Sequence, residues 1–133
     1  MSGYRQLHTH MWSDGWFTEL EPDIKLLFIY LFSNERASVC GLYELPVRTI
    51  SFETGLDREV IKKGLEVFNK ADKVKYDFDK GVVWVKNMLK YQGSSSPKVK
   101  VRIMTDFDAV PDCGLKEQFG DTLLRIWEDE ENQ

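Results

Sequence analysis

Two groups of cationic residues have the spacing to meet a phosphate backbone. Arg58, Lys62, Lys63 and Lys70 fall on a segment of helical period whose other side is the apolar set Val60, Ile61, Leu65 and Phe68. Lys86, Lys90, Lys98, Lys100 and Arg102 follow one another with no acid between them. Tyr91, Gln92 and the serines 94–96 add donors there, and Tyr91 offers a ring on which a base can stack. The chemistry in both cases is charge neutralisation with added hydrogen bonds, not bond making. Each group also has a plain reading. Glu59 and Lys63, or Glu66 and Lys70, stand at i,i+4 as on any solvated helix. Lys86 and Lys90 equally suit the wet side of a turn whose Met88, Leu89 and Tyr91 pack inward.

Catalysis finds no support in the residues. There is no nucleophile beside a base, no converging pair of carboxylates and no glycine-rich phosphate cradle, so the expectation is a protein that is not an enzyme and needs no cofactor. His8 and His10 fall on one side of an extended segment, but a zinc site needs three or four ligands and no spaced Cys or His supplies the rest. No metal site is expected. Cys40 and Cys113 are isolated thiols, read as small core residues without a disulfide.

With 133 residues the chain has room for one domain, which buries roughly two thirds of its unfolded surface. A composition 42% hydrophobic, with four Trp and eight Phe, excludes a disordered protein. The longest apolar run, Leu26 to Phe32, is far short of the roughly 20 residues that cross a bilayer, and Met1 to Arg5 lead into no signal-peptide core. A cytoplasmic protein without a membrane partner is expected. The net charge of −4 disfavours indiscriminate nucleic-acid binding, but the charge is unevenly placed. The belt from Lys86 to Arg102 is basic, while Asp106, Asp108, Asp112, Glu117, Asp121 and Glu128 to Glu131 face only Lys116 and Arg125. That asymmetry fits a phosphate-binding surface beside a repelling one, or complementary faces in a self-assembling protein.

The elements that must position these charges follow from pattern. Trp12 to Phe17 reads as a turn with aromatic flanks. Pro22 opens a helix that runs to about Ser33, with Glu21 and Asp23 at the positive end of its dipole. Val39 to Leu45 reads as a strand interrupted at Gly41. Pro46 leads a second helix, Val47 to Thr54, with Val47, Ile50 and Phe52 as its core positions. Gly55 stops it, and Asp57 caps a third helix from Arg58 to about Ala71. Strands Val74 to Phe78 and Val82 to Val85 enclose the turn Asp79-Lys80-Gly81, with Trp84 anchoring the hairpin on the core. The division is a domain over residues 1–92, a linker at 93–97 and a helical extension at 98–133 with an acidic, frayed end. In that extension Lys98 to Phe107 and Leu115 to Trp127 read as helices, although Val99, Val101 and Ile103 alternate as in a strand. The order of elements predicts an α+β fold, a winged helix-turn-helix followed by helices. In such a fold the third helix reaches base edges and the cations around it meet phosphates.

Trp12-Ser13-Asp14 before a proline-led helix, Gly41-Leu42-Tyr43-Glu44-Leu45-Pro46, the Gly55-Leu56 turn, and a hairpin that runs into Asn87-Met88-Leu89-Lys90-Tyr91-Gln92 together resemble the N-terminal winged-helix module of phage replication proteins. These are the replisome organisers, related to the DnaD-like primosome proteins, and the likeness covers roughly residues 12–92. The resemblance implies a phage or prophage protein of replication initiation that binds DNA, self-associates as a homo-oligomer, and helps recruit the replicative helicase or its loader. It leaves open a module that oligomerises or adapts without touching DNA, and a phage transcriptional regulator.

Overall fold

A computed structural model describes residues 3–86, 88 and 96–132. A 3₁₀ turn at Thr9–Ser13 and the short helix α1 (Gly15–Thr18) precede α2 (Pro22–Ser33), β1 (Leu42–Glu44), α3 (Val47–Thr54) and α4 (Arg58–Lys70). The hairpin β2 (Val74–Asp77) and β3 (Val82–Val85) follows, then α5 (Pro97–Asp108) and α6 (Gly114–Glu131). The fold is α+β, with six α-helices among the described residues and one three-stranded antiparallel sheet in the order β1-β3-β2. None of these helices is long and apolar enough to cross a membrane.

β3 explains the layering. Its four residues are all buried, because successive side chains point to opposite faces and both faces are covered. Val83 and Val85 join a core with Leu27, Leu31, Ile50, Ile61, Leu65 and Phe68 from α2, α3 and α4. Val82 and Trp84 join a second core with Leu42, Ile103, Leu115, Phe119 and Leu123, so α5 and α6 cover the far side of the sheet. Trp84 meets Phe119 edge to face, their ring centroids 5.4 Å apart. It therefore anchors the hairpin on the C-terminal helices and not on the core of α2–α4.

Gly41 fixes the entry to the sheet. Its φ of +88° suits glycine, and a Cβ there would lie 2.4 Å from the carbonyl oxygen of Val85. Strand pairing consequently begins only at Leu42, which faces Trp84, and the strand expected from Val39 is a turn up to that point.

The helix expected from Lys98 to Phe107 is present, and three other expectations change. Phe52 is 89% exposed, because Ile50 alone of the residues in α3 is fully buried and Phe52, two positions on, points away. α5 is a helix despite the alternation of its valines, since Pro97 begins it and the helix places half-buried Val99 with buried Ile103 while Val101 turns outward. The end expected to fray is helical to Glu131, where Lys100 reaches Glu130 at 3.6 Å and lies over the Trp127 ring. Within the expected linker, Ser96 and Pro97 form the start of α5, and 93–95 lie outside the described residues.

Candidate nucleic-acid interface

α4 owes its position to one stripe of its sequence. Ile61, Gly64, Leu65 and Phe68 are buried, and a Cβ on Gly64 would stand 2.5 Å from Cδ2 of Leu27, so α2 crosses close against α4 at that residue. The preceding turn is held by Gly55 in the left-handed region, by its N–H donating to Ser51 O, and by Ser51 Oγ donating to Leu56 O at 2.7 Å. Asp57 takes the extended N-cap conformation, but its side chain accepts no capping hydrogen bond, in contrast to the cap expected there. Arg58, Glu59, Lys62, Lys63, Glu66, Asn69 and Lys70 are exposed along the rest of the helix. Lys63 pairs with Glu21 at 3.4 Å, with both side chains well solvated. Arg58, Lys62 and Lys70 enter no ion pair among the described residues.

The belt is distributed differently. Lys86 Nζ donates to Asp72 at 2.6 Å and lies 5.1 Å from the Trp84 ring centroid. That hydrogen bond and the ammonium charge hold the Asp72 carboxyl below its ordinary range. Lys100 is taken up by Glu130 and Trp127. Lys98 and Arg102 remain exposed on α5, and Lys90 lies outside the described residues, as do Tyr91 and Gln92. Because α4 packs on one face of the sheet and α5 on the other, the cations of α4 and those of α5 do not form a single surface. The hairpin adds no net charge, since Asp77 and Asp79 offset Lys75 and Lys80: the backbone N–H of Lys80 donates to Asp77 Oδ1 at 2.9 Å, and Asp79 and Lys80 are both exposed.

Two cavities accompany this surface. One of about 310 Å³ lies where the end of α4 meets β2 and the start of α6, with Glu66, Asn69, Lys75 and Asp77 on its walls. Another of about 370 Å³ lies beneath the N-terminal segment, against Trp16, Phe28 and Phe32, with Lys73 5.2 Å from the Trp16 ring centroid. Sequence reasoning did not single out Lys73; the aromatic flanks at Trp16 and Phe17 were the available signal. His8 and His10 reach this cavity with ring centroids 5.6 Å apart. Among the described residues no group of three or more His, Cys, Asp or Glu converges as a metal site. Burial pushes the Cys40 thiol up, which suits a core residue and not a reactive one.

What the arrangement can do is electrostatic: hold an exposed helix with unpaired cations at a fixed angle on a rigid base. No protein-family model matches the chain, and neither the curated proteins nor the solved structures contain a match.

Proposed function

We propose that this chain is a winged helix-turn-helix protein of phage or prophage replication initiation, which binds DNA through α4 and self-associates. The observation that carries the reading is the seating of α4. It follows a tight glycine turn, buries one stripe, and offers Arg58, Lys62, Lys63 and Lys70 on the other, beside a hairpin in the sheet order β1-β3-β2. The replication context comes from the resemblance of residues 12–92 to the phage replisome-organiser module, which also makes the replicative helicase or its loader a further partner. No residue is assigned a catalytic role, and the protein acts by binding alone.

Glu59 and Glu66 on the same helix set the expected behaviour. Affinity for DNA is modest, weighted to low salt, and does not extend to every polyanion. The test is fluorescence anisotropy with duplex and single-stranded DNA across a salt series. Lys62→Ala with Lys63→Ala is expected to weaken binding and to lower the salt slope by about 1 for each phosphate that is no longer neutralised. Absence of binding to both forms of DNA at low salt sinks the reading. Binding with an unchanged slope moves the contact to Lys98 and Arg102 on α5.

A second reading, protein contacts without DNA, draws on the apolar side chains exposed on the C-terminal helices.

A further inference from the structure

We infer that the cavity beneath the N-terminal segment binds a small aromatic carboxylate. Its back wall is rigid. Trp16 meets Phe28 edge to face with ring centroids 5.1 Å apart, Phe28 meets Phe32 at 5.8 Å, and both Trp16 and Phe28 rest on Phe68 of the core. Rings fixed in this way are in place before a ligand arrives, so binding against them carries little ordering cost. The front is formed by the segment from Arg5 to Met11, which is tied down where the Arg5 guanidinium donates to Ala37 O at 2.6 Å. The volume of about 370 Å³ lies at the low end of the roughly 300–1,000 Å³ found for small-molecule sites, which suits a body of one or two rings.

The charges select the sign of the ligand. Aromatic walls by themselves suit a cation, which the face of a ring attracts. Here the chain fills that position itself: Lys73 Nζ lies 5.2 Å from the Trp16 ring centroid, and Arg5 adds a second positive charge to the lining. An incoming cation is repelled by both. Lys73 is half-buried and enters no ion pair among the described residues. The acid beside it in sequence, Asp72, is taken by Lys86 at 2.6 Å. Asp14 is the one acid among the described lining residues, and its Oδ2 already accepts the Phe17 N–H at 3.0 Å as the cap of α1. An ammonium has donors to give that a ring face does not use up, so a carboxylate set beside Lys73 gains a charge-assisted hydrogen bond. A ring bearing that carboxylate covers Phe28 and Phe32 with its apolar body and answers Lys73 with its charge.

The site does not involve the cations of α4, so ligand binding and DNA binding fail separately. The test is titration of the full chain with 2-naphthoate, followed by NMR of the methionine methyl groups. Met11 and Met88 line the cavity, whereas Met104 is on α5, across the sheet. The expected result is a saturable shift of the Met11 and Met88 signals with Met104 unmoved. The matching alcohol, naphthalene-2-methanol, is expected to bind roughly tenfold more weakly, since it offers no charge to Lys73. The matching ammonium, 2-naphthylmethylammonium, should bind more weakly still. Lys73→Met keeps the bulk of the stem and removes the charge. It is expected to bring the acid down to the level of the alcohol while leaving the alcohol unchanged. Should that variant not fold, the order of the probes on the parent chain decides. The proposal is overturned if the Met11 and Met88 signals stay still at millimolar 2-naphthoate, or if Met104 moves in their place. It is equally overturned if the ammonium or the alcohol binds as tightly as the acid, or if folded Lys73→Met keeps the preference for the acid. Loss of DNA binding in Lys62→Ala/Lys63→Ala with 2-naphthoate still bound leaves it standing.

Discussion

The face of the sheet under α2–α4 and the face under α5 and α6 treat their polar atoms differently. On the first, the Tyr43 hydroxyl donates to Leu31 O and accepts from Asn34 Nδ2, and Tyr76 donates to Leu45 O at 2.6 Å. On the second, Glu130 Oε2 has only its ion pair with Lys100, and Trp84 Nε1 and Asp106 Oδ2 are buried without a hydrogen bond among the described residues. Each such atom forgoes hydration that it had in the unfolded chain, which costs on the order of 1–3 kcal/mol. The first face is therefore the better satisfied of the two, with a network of edge-to-face rings through Trp16, Phe28 and Phe68. The second is held mainly by apolar contact around Trp84 and Phe119. β3 ties them together, since its alternate residues belong to opposite cores.

That tie predicts one cooperative unit, and the largest effects test it. Phe68 and Phe119 are both fully buried, one in each core. Replacing either with Ala is expected to cost about 3–5 kcal/mol, the usual sum of forfeited burial and the cavity left behind. Urea unfolding followed by tryptophan fluorescence and by circular dichroism should give coincident transitions for both variants. The comparison breaks if Phe119→Ala shifts the fluorescence transition alone, because the C-terminal helices would then leave the sheet as a separate unit.

A smaller effect tests the hinge between the faces. Gly41→Ala puts a Cβ 2.4 Å from a backbone oxygen at a φ of +88°, and neither can relax without moving β3. The expected loss is about 2–3 kcal/mol. Gly55 has a similar φ, +77°, with nothing within 4 Å of the added atom, so Gly55→Ala isolates the conformational part and should cost only about 1 kcal/mol. Equal losses at the two glycines would mean that the approach of Gly41 to Val85 does not constrain the sheet.

The first face was largely legible in the sequence because local signals specify it. The bounds of α3 and β3 follow from Pro46, Gly55 and the Val82–Val85 run, and the stripe of α4 follows from its period. The second face was not, for a physical reason. Its cover comes from helices beyond the hairpin, and no local rule says on which side of a sheet a later helix lies. Trp84 announces an anchor without naming its partner. Phe52 misled because an aromatic residue in a short helix looks like core until Ile50 fixes the phase. The candidate site was legible as a set of exposed cations on α4. Its separation from α5 was not, since that depends on which face each helix covers. The pairing of Lys86 with Asp72 and of Lys100 with Glu130 depends on tertiary approach across 14 and 30 residues of chain.

The tyrosines offer a way to sharpen the comparison with pH. Burial pushes the Tyr76 phenol up to about 12, with the Asp77 charge adding to it, and burial also raises Tyr43 and Tyr30, the latter with help from Glu53. These groups lie above their unfolded values, so their contribution to stability is complete below about pH 10 and is lost as pH rises towards the folded values. The slope is at most about 1.4 kcal/mol per pH unit for each phenol. Tyr43→Phe lowers stability at neutral pH by removing a paired hydroxyl, but its decline between pH 9 and 11 should be shallower than that of the parent. Equal declines in urea midpoint would show that the first face does not own the alkaline sensitivity.

The smallest effect separates a charge that closes a core from one that decorates a surface. Lys100 and Glu130 are 31% and 30% exposed and stand against Trp127, whereas Lys63 and Glu21 are 60% and 67% exposed. Removing Lys100 breaks a partly desolvated pair, uncovers an indole face, and leaves Glu130 less compensated. Lys100→Ala is expected to cost about 1 kcal/mol. Lys63→Ala gives up a pair that water and salt already screen, and its cost should stay below about 0.5 kcal/mol. Added salt should erase the difference between parent and Lys63→Ala while leaving most of that for Lys100→Ala. If instead salt removes both equally, the Lys100 pair is a surface pair like the other, and the second face is closed by apolar contact alone.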